Sequence, residues 1–415
     1  MTGSTVSRRQ ALSVLASSAF AARLGAQERL PRQRQISHGM GHALLLEPDG
    51  TVKIWSSIVT EVQPSGEMGQ GHNGPIKIFT LYTVPGLRNV VSVAAGRAYS
   101  FAVLADGRMF SWGSKYAGIL GITTLAELEI NAFPHPDAHS PTQVLNIADA
   151  VAVSTTESHA LALARNGTVY AWGEGGVGQL GIGPLPVVKF RTHAPSALSY
   201  VPYPVRIPGL AEVTAVATGG DHSLALLKDG TIRAWGENKL GQVGDGTLDN
   251  RMSPVVVPGV RTAVAIGAGA SYSAALLADG TVMTWGSNVG GYLGRSTASQ
   301  GPDPKPAPAS GVKDIVSIAA GLHHVLALTG AGTVVAWGYD GHGATGQRSG
   351  GNGQIVPKVV PRLANVNAVF TGPEVSHARL SDGKIMTWGW VPSPEGRITA
   401  SAAPVPLTLS GPSSP

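Results

Sequence analysis

From about residue 36 onward, apolar and polar positions alternate in short runs, and no stretch carries the 3.6-residue period of an amphipathic helix. Residues 90–96 (VVSVAAG) form a short apolar run that predicts a strand. Residues 100–107 (SFAVLADG) alternate and end in an Asp-Gly pair, which predicts a tight hairpin because glycine reaches positive φ without steric penalty. Residues 108–113 (RMFSWG) predict the return strand. After a glycine-rich loop, Pro-x-x-Val segments such as 141–144 and 254–257 predict a fourth strand.

This four-strand unit repeats seven times. An Asp-Gly-like pair followed by tryptophan recurs at Trp55, Trp112, Trp172, Trp235, Trp285, Trp337 and Trp388, spaced about 50–63 residues apart. A period of that length signals a propeller or solenoid array, and four-stranded units in radial array are propeller blades. Other marks recur in register. Seven residues before the Asp-Gly stands His42, Tyr99, His159, His222, Tyr272 or His324, and Val375 departs from this in the last repeat. A glycine precedes each by three residues, except that Thr156 replaces it in repeat three. A Gly-x-x-Gly follows the tryptophan, from Gly118/Gly121 to Gly343/Gly346, with repeat one keeping it late at Gly66/Gly69.

These residues resemble the regulator-of-chromosome-condensation repeat family. Residues 216–246 (VATGGDHSLALLKDGTIRAWGENKLGQVGDG) are similar to its unit almost throughout, and the resemblance spans about residues 36–410. It implies an all-β, seven-bladed β-propeller of four-stranded blades, closed by pairing of its N- and C-terminal strands. Residues 404–407 are the expected closing strand, paired with the incomplete first unit near residues 36–41. The family's founding member exchanges guanine nucleotide on a nuclear GTPase, and a secreted member inhibits a β-lactamase. The resemblance therefore implies protein binding, although no residue of the inhibitor's interface can be matched in this chain.

The N-terminus stands outside the repeats. Arg8 and Arg9 precede the apolar run 11–22, which ends near residues 24–26 (LGA), as in a twin-arginine export signal. The expected organisation is a signal peptide at 1–26, a basic linker at 27–35, the propeller at 36–410 and a tail at 411–415. The expected location is periplasmic or extracellular, with no membrane span. The leader and linker also account for the net charge of +5: from residue 36 onward 24 basic residues face 24 acidic ones. The body therefore has no basic footprint for nucleic acid. Absence of cysteine excludes disulfides, thiolate metal sites and cysteine nucleophiles.

A residue repeated seven times is better explained by packing than by chemistry. The tryptophans are expected to fill gaps between blades, and the histidines to bond the backbone. A zinc ring of His42, His159, His222 and His324 is interrupted by Tyr99, Tyr272 and Val375. The literal GxGxxG at 173–178 belongs to the repeat's own loop, with no helix following. Candidate function lies where the repeat lengthens, which the spacing assigns to units two, three and four. One insertion, at 122–140, carries Phe133 and the weak metal set His135, Asp137 and His139. A second, at 182–203, carries Phe190, Arg191, His193, Tyr200 and Tyr203, the residue types that anchor interfaces. Trp390, outside the repeat register, is either a cover for the closure seam or an exposed anchor. Glu157 and Glu374 are the acidic residues an enzyme reading would need. The expectation is a monomeric binding propeller with no cofactor. Its partner is a protein or a polysaccharide, against a propeller hydrolase or lyase as the alternative and, by family analogy only, a guanine-nucleotide-exchange-type regulator as the second.

Overall fold

The computed structural model describes residues 33–411 apart from 58–65, 72–78, 125–126, 128–136, 186, 189–195, 198, 298–300, 348–352 and 393–397. The described residues form seven four-stranded antiparallel sheets in a ring, each built from one contiguous stretch of chain, and one two-stranded ribbon. Blade four sets the pattern, with strands Val213–Thr218, His222–Leu227, Ile232–Gly236 and Arg251–Val256 running from the axis outward. The second strand of each blade is almost wholly buried, being covered by neighbouring blades on both sides. The fourth strand leaves its outer edge unpaired. Proline occupies that strand in blades two to seven, among them Pro141, Pro254 and Pro404, which removes donors that another chain could pair with.

All seven repeat tryptophans are buried at blade-to-blade contacts. Six of them donate their indole N–H to a carbonyl in the preceding blade's outer loop. The acceptors are Glu67 for Trp112, Ile119 for Trp172, Gln179 for Trp235, Gln242 for Trp285, Tyr292 for Trp337 and Ala344 for Trp388, at 2.6–3.0 Å. The glycine after the tryptophan is required by geometry. Gly236 has φ of 101°, and a Cβ there would lie 2.5 Å from the Asp221 carbonyl oxygen.

The recurring histidines correct one expectation, since their ring partners are side chains of the next blade rather than backbone. His42 Nε2 pairs with Ser100, His159 with Ser223, His222 with Ser273 and His324 with Ser376, at 2.7–2.9 Å. In three of these the serine passes its own proton to the carbonyl of Gln179, Gln242 or Ala344, so the imidazole Nε2–H must be the donor. Those same carbonyls also accept the tryptophan N–H, which ties histidine, serine, loop and tryptophan into one knot per junction. Where the repeat has tyrosine, the facing position has no hydroxyl (Ala160, Val325). The phenol then reaches further, Tyr99 to Thr155 Oγ1 and Tyr272 to the carbonyls of Gly321 and His324. The glycine three residues earlier makes room for the ring: a Cβ on Gly219 would lie 2.2 Å from His222 Cε1. Held in separate junctions, these histidines form no metal ring.

Closure differs from the expected arrangement. Residues 404–406 belong to strand Ile398–Pro406, which pairs with Ile385–Pro392 inside blade seven. Blade one is complete by itself, and its inner strand Gln35–His38 pairs with His42–Leu46. The ring closes instead by packing Ile36, Ala43, Leu45 and Trp55 of blade one against Ala368 and Phe370 of blade seven. A short parallel bridge between Ser410 and Thr80 adds to this, with Leu81 N–H donating to the Ser410 carbonyl. Register explains the difference. Gly389 opposite Ser401 and Met386 opposite Pro406 make this segment blade seven's own fourth strand, leaving no free strand to donate.

Candidate functional site

Because successive strands are antiparallel, connections alternate between two ends of every blade. The Asp-Gly turns and the links to the next blade lie on one face. The loops joining strands one and two (inner loops) and strands three and four (outer loops) lie on the other, here called the rim face. The strand ends from which all the long insertions leave and return are therefore on the rim face. They belong to blades one, two and three, where the outer loops run over 57–81, 114–137 and 175–199. Blade four's loop, at 237–250, is short, which corrects the assignment of the excess to units two to four. A tryptophan-to-tryptophan spacing contains the outer loop of the earlier blade, so the extra length belongs one unit upstream.

Of the sequence candidates, Phe133, His135, Phe190, Arg191 and His193 lie outside the described residues. The base of the second insertion is the ribbon pairing Val187 with Ala197 and Val188 with Ser196. Tyr200 and Tyr203, on strand Tyr200–Arg206, are half-buried, and burial raises both phenols above their ordinary value. Tyr203 packs on the blade-three core. Asp137 accepts the backbone N–H of Lys115 at 3.0 Å and so closes its own loop. Among the described residues no three metal-binding side chains cluster.

The inner loops encircle the mouth of the axial channel with non-repeated side chains: Met40, Arg97, Glu157, Asp221, His323 and Glu374. Next to blades three and four they form an acidic arc with Glu174 and Glu237. The Asp221 carboxyl is pushed up to about 6, first by burial and then by the charges of Glu237, Glu157 and Glu174, against one hydrogen bond from Gln179 at 3.2 Å. Across the mouth, blades five to seven contribute aromatic and imidazole groups. Tyr292 stacks on His323 with centroids 5.9 Å apart, and Tyr339 meets His323 edge-on at 6.2 Å.

Trp390 resolves its two expected readings toward the exposed one. Blade seven replaces the Gly-x-x-Gly loop with an extended hairpin pairing Trp390 with Ala400. The indole is 45% exposed and packs at 4.3 Å on His342 of blade six, away from the closing seam. His342 Nδ1 in turn lies 2.6 Å from Glu374 Oε2. Sequence reading missed His323, His342, Tyr116 and the arc residues Asp221, Glu174 and Glu237. The only signal for them was their departure from the consensus at fixed repeat positions, beside the glycines and tryptophans.

Residues 21–352 match the RCC1-like domain family. Among similar proteins, Protein pim1 of Schizosaccharomyces pombe is 30% identical over 230 residues, 55% of this chain. The mitochondrial RCC1 domain-containing protein RUG3 of Arabidopsis thaliana is 30% identical over 360 residues, 85% of the chain. The Arabidopsis thaliana ultraviolet-B receptor UVR8 is 28% identical over 313 residues, 73% of the chain. The chain spans 41%, 64% and 66% of these relatives' own lengths. Yeast RCC1 (Prp20), solved bound to Kap60, superimposes with a TM-score of 0.67 at 21% identity, covering 82% of this chain and 81% of that one. Human WBSCR16 gives 0.66 at 22% identity, covering 84% and 90%. Repeat register, seven blades and these matches agree: the chain belongs to the RCC1-like domain family.

Proposed function

We propose that this chain is an exported binding propeller that takes a protein partner on its rim face. The supporting observation is a partition of the surface. Among the described residues, the exposed large apolar side chains are Met40, Tyr116, Leu240, Leu248, Val289 and Trp390 on the rim face, together with Met252, Val256, Ile355, Val356 and Val359 on outer strands. None of these stands at an Asp-Gly turn. Repeat residues are consumed by the inter-blade knots, so the non-repeated apolar and acidic groups at the mouth are the ones free for recognition. Yeast Prp20, a propeller of the same fold, was solved with Kap60 bound.

The reading is tested by capturing secreted and periplasmic proteins on the chain lacking residues 1–26. A triple variant Tyr116→Ala, Leu240→Ala, Val289→Ala is expected to lose a partner that Met252→Ser, Val256→Ser retains, with unchanged melting. Anchors of this kind contribute roughly 1–4 kcal/mol each. Equal capture by both variants would remove the rim face from consideration.

Export rests on Arg8 and Arg9, which stand outside the described residues. Changing both to lysine is expected to hold the precursor in the cytoplasm, while the native sequence yields a mature chain starting near residue 27. Export of the double variant at the normal rate would contradict it.

A further inference from the structure

Three features of the rim converge on the junction of blades six and seven. Trp390 is the one tryptophan outside the repeat register, and almost half its surface is open. Glu374 stands beside it on the inner loop of the same blade, and the backbone is locked there because Trp390 N–H donates to the Glu374 carbonyl at 2.9 Å. His342 bridges them, its ring against the indole and its Nδ1 against the carboxylate, with both polar side chains about one-quarter to one-third exposed. None of the three sits at a position that the repeat uses for packing. Trp390 stands directly after the Trp-Gly step, at the rim position that Glu174, Glu237 and Tyr339 hold in other blades, and its strand there runs on into the hairpin pairing it with Ala400.

An open indole face next to a fixed carboxylate is the arrangement that receives a planar cation. The ring quadrupole attracts charge above its face, while the carboxylate, whose Oε2 is buried against His342 Nδ1, has Oε1 left to accept a donor. His342 already shows the geometry, as a planar nitrogen ring held between indole and carboxylate. The surroundings have the matching sign. Of the seven inner loops, three contribute acids (Glu157, Asp221, Glu374) and one a permanent base (Arg97), although the body as a whole is charge-neutral.

We propose that Trp390 and Glu374, with His342 as the third wall, form an anchor site for an arginine side chain of the protein partner. This rests on the rim-face reading above and specifies its chemistry. The guanidinium stacks on the indole and donates to Glu374 Oε1, so lysine, a point charge without a planar face to stack, binds more weakly. The acidic arc across the mouth then favours further basic residues in the same segment.

Trp390 supplies its own reporter, because the other seven indoles are buried. The full chain with 15N-labelled tryptophan would be titrated with hexa-arginine, hexa-lysine, hexa-citrulline and, separately, chitohexaose, following the indole N–H signals. Hexa-arginine is expected to shift the Trp390 signal, with roughly tenfold weaker binding by hexa-lysine and none by hexa-citrulline. Glu374→Gln is expected to weaken hexa-arginine about tenfold. Trp390→Ala should abolish selectivity for arginine over lysine, read by calorimetry, with melting unchanged in both. Equal shifts by citrulline, or none by arginine, would overturn the anchor, as would a response to the oligosaccharide alone, which would make Trp390 a sugar platform. Partner capture that survives Trp390→Ala but fails in the Tyr116, Leu240, Val289 variant would sink the anchor while leaving the rim-face reading intact.

Discussion

Trp235→Ala is expected to destabilise the chain by about 3–5 kcal/mol, the usual cost of emptying a large buried aromatic site. Trp235 is completely buried among Leu180, Val201, Ile207, Val213 and Val216, drawn from blades three and four. Its loss also leaves the Gln179 carbonyl with Ser223 as its remaining side-chain donor. No side chain can relax into the space easily, because Gly181 already lies against the indole, its Cβ position 2.7 Å from Trp235 Nε1. Denaturant unfolding would measure the effect. A loss under 1 kcal/mol would mean that the knots do not hold the blades together. The same substitution at Trp390 should cost little, since that ring is 45% exposed and its contact on blade six is with the partly exposed His342.

Acidification is expected to unfold the ring well before carboxylate protonation would. Burial lowers His42, His159, His222 and His324 to about 3 and His38 to about 4, and it drives His377 well below its ordinary value. The native state therefore binds fewer protons than the unfolded chain between roughly pH 3 and 6.5. Stability is complete above that window and falls as pH drops through it, by up to about 1.4 kcal/mol per pH unit for each histidine. The weakest joint is the seam between blades seven and one. Val375 faces Ala43 there without a histidine–serine pair, and His377 takes the place held by Leu44, Leu161, Leu224 and Leu326 elsewhere. Its two ring nitrogens are buried without hydrogen-bond partners, and the ring stacks on His38 at 5.8 Å, with His324 and Arg379 the other charged or titratable groups near it. His377→Leu should stabilise the ring by about 1–3 kcal/mol at neutral pH, through removal of unsatisfied polar atoms. It should also lower the midpoint of acid unfolding. A wild-type chain equally stable at pH 7 and pH 4.5, or a less stable His377→Leu, would refute this.

Strand number, blade number and the packing role of the tryptophans could be read from the chain because they are written seven times. An Asp-Gly turn, a Trp-Gly step with positive φ and a glycine beside an imidazole each impose one local geometry wherever they occur. The partner of each histidine was not readable, because the serine lies one blade away, 51–64 residues along the chain. Closure was misread for a related reason. Residues 404–407 suit any free strand edge, and only the pairing within blade seven, Thr387 with Val405 and Met386 with Pro406, decides between them.

The sequence by itself determined the architecture: local turn chemistry and alternation recur in phase, and seven equal units that cannot bury their faces alone must stack into a ring. Tertiary structure alone decided the site. Glu157 and Glu374 lie 217 residues apart, and Trp390 and His342 lie 48 apart, with nothing in their spacing to associate them. The ring brings such residues to one mouth because antiparallel strands return every inner and outer loop to the same face, whatever the distance along the chain.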